Sequence, residues 1–95
     1  MISITKKKSN EFKVIIKSEV KTIHFVTFDN EWHSKITDGK LSEENLVKLS
    51  FRFLLDREPN TSILNKFKLN MISDFFPDYT DYVKHYCSKV DLSDW

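Results

Sequence analysis

The sequence predicts an α+β fold, in which a small antiparallel β-sheet, with an N-terminal hairpin and a candidate third strand, precedes four or five helices. The first observation is a pair of short apolar segments before residue 30 with the residue types and spacing of strands. The second is a series of helically spaced apolar positions after residue 30, separated by capping residues. The chain has 95 residues and contains no Pro/Gly-rich linker, which indicates one domain over residues 1–95.

The predicted strands lie at the start of the chain. FKVIIK alternates apolar Phe12, Val14 and Ile16 with other side chains, which is typical of a half-buried strand. TIHFVTF, residues 22–28, is β-branched and aromatic, as strands prefer. The short connection near Ser18–Glu19 makes these two a hairpin, and ISIT is the candidate third strand, with KKKSN as its turn.

The strand over residues 22–28 is apolar on both faces. Ile23 and Phe25 share one face, and Val26 and Phe28 share the other. Strands of this kind are usually covered on both sides. We therefore expect cover on both faces, which a chain of this length can hardly supply by itself.

Capping residues divide the rest of the chain into helices. Asp29 is the expected N-cap of NEWHSKIT, and Gly39 closes that helix. Ser42 caps the next helix, which runs to about Asp56 and must stop before Pro59.

Three further helical segments are predicted after Pro59. Asn60–Thr61 is the expected cap of SILNKF, and Asn70 is the candidate cap of MISDFF. Pro77 interrupts the pattern, and Asp78 starts YTDYVKHYCSKV. Apolar residues keep helical spacing through this proline as far as Val90, so one apolar face continues across the break.

The central helix, from Ser42 to Asp56, carries apolar side chains over about two-thirds of its circumference. The sheet and the C-terminal helices can cover it from two sides. Alternatively, a second copy of the chain supplies part of the cover, since uncovered apolar surface usually marks an interface. The second interpretation places Leu46, Leu49 and Phe53 in the chain's own core. It makes interface residues of Val47, Phe51 and Leu55.

Three tyrosines form a stripe in the last helix. Tyr79, Tyr82 and Tyr86 follow i, i+3, i+7 spacing and so share one helix face. They are either core residues with hydroxyls at the rim or further candidate interface residues, because tyrosine is apolar along its body and polar at its tip.

Arg57 and Glu58, at the end of the central helix, form the most suggestive polar pair. In a structural interpretation, Arg57 binds the last helix carbonyls or an acid, and Glu58 caps the following turn. In a functional interpretation, the pair recognises an anion or a partner.

Charge argues against nucleic acid as a partner. The chain has 15 basic and 14 acidic residues, for a net charge of +1, and nucleic-acid-binding domains are usually basic. We expect no tight binding to duplex DNA near physiological salt, because balanced charge releases few counterions. Lys6, Lys7 and Lys8 are more typical of a solvated loop. A nucleic-acid-associated regulator using the basic N-terminal strands is the alternative function.

Catalytic and metal-binding patterns are weak. The soft metal ligands are His24, His33, His85 and Cys87, and their spacing matches no zinc motif, so we expect no metal and no other cofactor. No catalytic constellation is evident, and the chain is predicted not to be an enzyme. No signal peptide and no membrane-spanning run occurs, which predicts a soluble cytoplasmic protein without membrane contact.

The runs LSFRFLLDREPNTSIL, FKLNMISDFFPDY and VTFDNEWH resemble a pattern in a family of small uncharacterised bacterial proteins. The resemblance covers roughly residues 12–80, and the segment from His85 to Trp95 extends beyond it. It implies a shared fold and no particular activity. It rests on Asp29, Trp32, Ser50, Phe51, Phe53, Leu54, Leu55, Arg57, Glu58, Pro59, Ile63, Leu64, Phe67, Leu69, Ile72, Phe76 and Pro77.

These observations together predict a small non-catalytic interaction or assembly module. It would act as a homodimer or as a subunit that binds another protein.

Overall fold

The computed structural model describes residues 1–89. Within these residues, four strands and four helices form an α+β arrangement, with two single-turn 3₁₀ helices at Asn60–Ser62 and Leu69–Met71. In chain order the elements are β1 (Ile2–Lys8), β2 (Glu11–Ile16), β3 (Thr22–Thr27), α1 (Asn30–Thr37), α2 (Glu43–Leu55), β4 (Lys66–Lys68), α3 (Ile72–Phe75) and α4 (Tyr79–Lys89).

The strands form one mixed sheet in the order β1-β2-β3-β4. The pairs β1–β2 and β2–β3 are antiparallel, as the hairpin pattern predicts, and ISIT does begin a third strand. The lysines at 6–8 lie within β1 rather than in its turn, with a register irregularity between Lys6 and Lys8. The fourth strand, β4, pairs with β3 in parallel, so the antiparallel prediction holds for three of the four strands.

The helices cover only one face of the sheet. Phe12, Val14 and Val26 are buried on that face in one core with the helices. The expectation that β3 is covered on both faces is wrong, because Phe25 is only half-buried and Ile23 is 37% exposed. Ile23 pairs with Ile15 across β2 and β3, so neighbouring apolar side chains shield each other without a second layer.

The predicted helix SILNKF is also wrong. Its first part follows a 3₁₀ turn, and its last residues form β4, in which buried Phe67 lies between two exposed lysines. Asn65 joins this segment to the sheet by two hydrogen bonds. The Phe25 N–H donates to the Asn65 carbonyl (2.7 Å), and Asn65 Nδ2 donates to the Ile23 carbonyl (3.0 Å). These long-range bonds satisfy the backbone in an extended form, which outweighs the weak local helix preference.

The starts of α1 and α2 follow the predicted capping residues, whereas Asn70, the candidate cap of MISDFF, lies inside the 3₁₀ turn Leu69–Met71, and α3 begins at Ile72. The Ser42 hydroxyl accepts a bond from the Asn45 N–H (3.1 Å) at the start of α2, and α1 follows Asp29 as predicted. Asp38 and Gly39 adopt positive φ angles of 52° and 70° at the end of α1, a conformation that favours glycine. The predicted continuation of the last helical face to Val90 lies outside the described residues.

The sheet and the C-terminal helices together cover α2. Phe51 packs against the rings of His24 (5.6 Å between centroids) and Phe67 (6.0 Å) on the sheet side. Phe53 packs against α4 on the other side, where its ring lies 5.3 Å from that of Tyr79. Val47 and Phe51 have no exposed surface. The chain itself therefore covers these two residues, and their assignment to an interface with a second copy is corrected.

Candidate functional site

The clearest concave feature is an apolar groove between the end of α2, the segment that leads into β4, and α3. Its volume is about 380 Å³, within the size range of ligand-binding clefts. Its walls are mostly aliphatic and aromatic, and Glu58 is their one charged residue. The lining consists of Leu54, Glu58, Ser62, Ile63, Leu64, Phe67, Met71, Ile72, Phe75 and Phe76. We call this the α3 groove.

Three large apolar side chains of the groove are exposed. Phe75 is 64% exposed, Leu64 51% and Met71 37%. Apolar residues scattered singly on a surface need no explanation, but three around one cavity form a patch of the kind that marks an interaction site. None of these three residues was predicted from the sequence as a site residue. The available signal was the pair Phe75–Phe76, since adjacent residues on a helix point about 100° apart and one of them faces outward.

Glu58 is the charged residue of this lining, and it also lines a second depression, which Lys48 and Arg52 share. The residue is half-buried, and among residues 1–89 its side chain makes no hydrogen bond or ion pair. Its backbone N–H donates to the Leu54 carbonyl (2.9 Å), which fixes the residue at the end of α2. The interpretation of Glu58 as a structural cap therefore finds no side-chain bond, whereas its position suits recognition of a basic group.

Arg57 points the other way and has a structural role. Its Nη1 donates to the Phe53 carbonyl (3.1 Å), its Nη2 donates to Asp78 (2.8 Å), and its guanidinium lies 3.5 Å from the centre of the Phe53 ring. Arg57 thus satisfies a carbonyl at the end of α2 and links this end to the start of α4. The structural interpretation of the sequence is confirmed for this residue.

We expect Arg57→Ala to lower the free energy of unfolding by about 1–2 kcal/mol. The reason is the loss of a helix-end hydrogen bond and a cation–aromatic contact; the ion pair itself is exposed and contributes little. Urea denaturation followed by circular dichroism measures the change, and exposed Arg52→Ala on the same helix is the control. Unchanged stability in Arg57→Ala would contradict the structural assignment.

A buried polar network holds the segment before β4 in place. The Leu64 carbonyl accepts a bond from Nδ1–H of fully buried His24 (2.7 Å). A carbonyl only accepts, so Nε2 of the same ring accepts from the Thr22 hydroxyl (2.9 Å). Asn60 Nδ2 donates to Thr22 Oγ1 and to the Val20 carbonyl, both at 2.8 Å. The network joins the hairpin to Leu64, at the wall of the groove.

The predicted tyrosine stripe divides into buried and partly exposed members. Tyr79 is fully buried, whereas Tyr82 and Tyr86 are half-buried and pack against the core. The Ser50 hydroxyl donates to the Leu46 carbonyl (2.7 Å), so the Tyr79 hydroxyl must donate to Ser50 (2.6 Å). Tyr79 is therefore a core residue, and the assignment of this residue to an interface is corrected.

Burial of Tyr79 predicts a loss of stability in alkali. Desolvation raises the pKa of its hydroxyl well above the ordinary value. A raised pKa in the folded state means that stability is complete below the ordinary tyrosine pKa of about 10 and falls as pH rises above it. We expect the free energy of unfolding to fall more steeply above about pH 10 in the wild type than in Tyr79→Phe. The free energy of unfolding is measured by urea denaturation at a series of pH values. An equal dependence on pH in the wild type and in Tyr79→Phe would contradict this prediction.

Leu55 is the one predicted α2 interface residue that retains exposed surface. It is half-buried and lines a second depression, between α2 and the ends of β1 and β2. Charged Lys17, Lys48, Arg52 and Glu58 share this lining, so Glu58 borders both concave features, and Met1 lies beside the depression. The depression is therefore more polar than the α3 groove and is the weaker candidate for a protein-binding site.

The cysteine and the two histidines near the core, Cys87, His24 and His33, do not line the α3 groove. Cys87 is buried on α4, and desolvation raises the pKa of its thiol, which disfavours the reactive thiolate. His33 bonds to the Leu41 carbonyl and His24 to the network above, which ties both rings to the backbone. Within residues 1–89 no group of three or more His, Cys, Asp or Glu side chains is placed to hold a metal ion.

The described residues form a small α+β domain with an apolar groove whose lining includes Glu58. Comparisons of the chain with protein-family models, with curated proteins and with solved structures find no match. None of the helices in the described part of the chain is long and apolar enough to cross a membrane.

Proposed function

We propose that this chain is a non-catalytic protein-interaction module that binds an amphipathic segment of another protein in the α3 groove. The observation that carries the proposal is the combination of three exposed apolar side chains with half-buried Glu58 in the lining of one cavity. Apolar grooves of this kind accept helical segments through a few large anchors. The bound segment presents two or three large apolar side chains and a lysine or arginine that reaches Glu58.

Charge favours a different protein over a second copy in this groove. In a two-fold dimer formed through the groove, both Glu58 carboxylates would enter the same apolar interface. Two like charges removed from water oppose such a contact, whereas a basic side chain from a different partner relieves the desolvation of Glu58. A homodimer was the other assembly predicted from the sequence. The experiments below distinguish it from binding to a different protein.

Non-catalytic action in the cytoplasm is part of the same proposal. It is supported by the burial of Cys87, because desolvation raises the pKa of its thiol and disfavours the reactive thiolate.

Oligomeric state is the first test. Light scattering over a dilution series should show a monomer up to about 100 μM, since the groove is not expected to bind itself. A dimer that dissociates in Phe75→Ser but persists in Val20→Ser would show that a second copy occupies the groove. Val20 is a suitable control because it is 55% exposed in the hairpin connection, away from the groove lining.

Peptide selection is the second test. Random peptides of about 12 residues, displayed on phage and selected on the immobilised domain, should converge on large apolar residues with one lysine or arginine. We expect the selected peptides to bind about ten-fold more weakly to Phe75→Ser and about three-fold or more weakly to Glu58→Gln, but equally to Val20→Ser. Peptides that bind Phe75→Ser as tightly as the wild type, or a selection without convergence, would contradict the proposal.

A further inference from the structure

The face of the sheet opposite the described helices carries two rows of side chains that the strand registers align. The first row crosses all four strands as Thr5, Lys13, Phe25 and Lys66. The second row, toward the β1–β2 turn, is Lys8, Glu11, Thr27 and Lys68. Paired residues on neighbouring strands point to the same side, and adjacent strands lie about 4.8 Å apart. The eight side chains therefore form one continuous patch, which we call the outer sheet face.

Positive charge is concentrated on this face. It holds four of the chain's 15 basic residues and one of its 14 acidic residues. None of its lysines belongs to an ion pair of the described structure: Lys6, which does pair with Glu43 (3.3 Å), projects from the opposite face. The net charge of +1 is therefore the sum of a basic outer sheet face and a small acidic excess over the rest of the chain.

An aromatic ring lies at the centre of the charge. Phe25 is half-buried on β3 between Lys13 on β2 and Lys66 on β4. Next to this row, Ile15 and Ile23 extend the apolar strip along the same face. A flat sheet that presents an aromatic ring flanked by lysines can stack one base on the ring and hold the adjoining phosphates.

We propose that the outer sheet face binds single-stranded RNA. Charge complementarity selects an anionic partner, and the ring of Phe25 favours one that carries bases rather than carboxylates alone. Among the described residues no helix or ribbon projects from this face into a duplex groove, so weak binding to duplex DNA stays a prediction. Thr5 and Thr27 place hydroxyls in the two rows, where they can bond the ribose 2′-OH that DNA lacks.

This site is separate from the α3 groove, because the residues of the two rows do not line that groove. Failure of one proposal therefore leaves the other intact. Phe75→Ser should keep its RNA affinity while it loses peptide binding, which distinguishes the two sites in one variant.

Fluorescence anisotropy with labelled oligo(U) of about 12 nucleotides tests the proposal, since known single-strand sites span about 4–16 nucleotides. We expect micromolar binding at low salt. The variant Lys13→Gln/Lys66→Gln/Lys68→Gln should lower the salt dependence, as the slope of log K against log salt, by about 2, because each phosphate contact contributes about 0.7. The control with equal charge change is Lys48→Gln/Lys84→Gln/Lys89→Gln, which removes exposed lysines from α2 and α4.

Phe25→Thr tests the stacking contact. Threonine keeps the strand propensity, so folding is retained, and the loss of stacking should weaken oligo(U) binding about five-fold or more. Circular dichroism confirms that the variant is folded.

Four results would overturn the proposal. The first is no binding of oligo(U) at about 100 μM and low salt. The second is equal loss in the sheet variant and the helix control. The third is unchanged affinity in folded Phe25→Thr together with equally tight binding of polyglutamate, which would identify a site for acidic peptides. The fourth is equally tight binding of oligo(dU) of the same length, which would remove the assignment to RNA.

Discussion

Phe51→Glu is expected to abolish folding of the domain. Phe51 has no exposed surface and lies between α2 and the sheet, against the rings of His24 and Phe67. A glutamate there loses the burial of an aromatic ring and places a charge in the core, beside a His24 ring whose nitrogens are already bonded to Leu64 and Thr22. The combined cost, of several kcal/mol, is comparable with the whole stability of a small domain, about 5–15 kcal/mol. Circular dichroism and thermal melting measure the outcome.

Phe75→Glu is the matched control for this prediction. It makes the same chemical change at a residue that is 64% exposed, and it should leave a folded protein with a melting temperature close to that of the wild type. A folded Phe51→Glu variant that had changed only its oligomeric state would show instead that Phe51 faces a partner copy. That result would return the interface to α2 and contradict the burial described above.

Phe53→Ala is expected to lower the free energy of unfolding by about 3–5 kcal/mol. Phe53 is fully buried, and its ring lies 4.9 Å from that of Tyr82, 5.3 Å from that of Tyr79 and 5.9 Å from that of Phe76. Truncation removes the burial of the ring and leaves a cavity among three aromatic side chains. It also removes the surface on which the Arg57 guanidinium rests. Urea denaturation measures the loss.

Phe75→Ala provides the comparison for Phe53→Ala, since it removes the same atoms from an exposed ring and should cost less than about 1 kcal/mol. A similar cost in both variants would contradict the assigned packing. Because Phe76 contacts Phe53 and also lines the α3 groove, folded Phe53→Ala should bind the selected peptides more weakly than the wild type, whereas Val20→Ser should bind them equally.

The sequence by itself predicted the elements whose signals are local. Alternation identified β2, and helical spacing with the Ser42 cap identified α2 nearly to its last residue. The position of Arg57 at a helix end predicted its bond to a backbone carbonyl. These features depend on neighbours within a few residues, so the order of amino acids contains the information that determines them.

The tertiary structure decided everything that depends on distant residues. Segment Lys66–Lys68 is too short for a periodic signal, and it became a strand because Asn65 and Leu64 bond to β3 about 40 residues away in the chain. That pairing creates both proposed sites. It forms one wall of the α3 groove, and it brings Lys66 beside Phe25 to complete a basic face. A net charge of +1 cannot reveal such a face, because a sum over the chain contains no positions, and electrostatic attraction depends on where the charges lie.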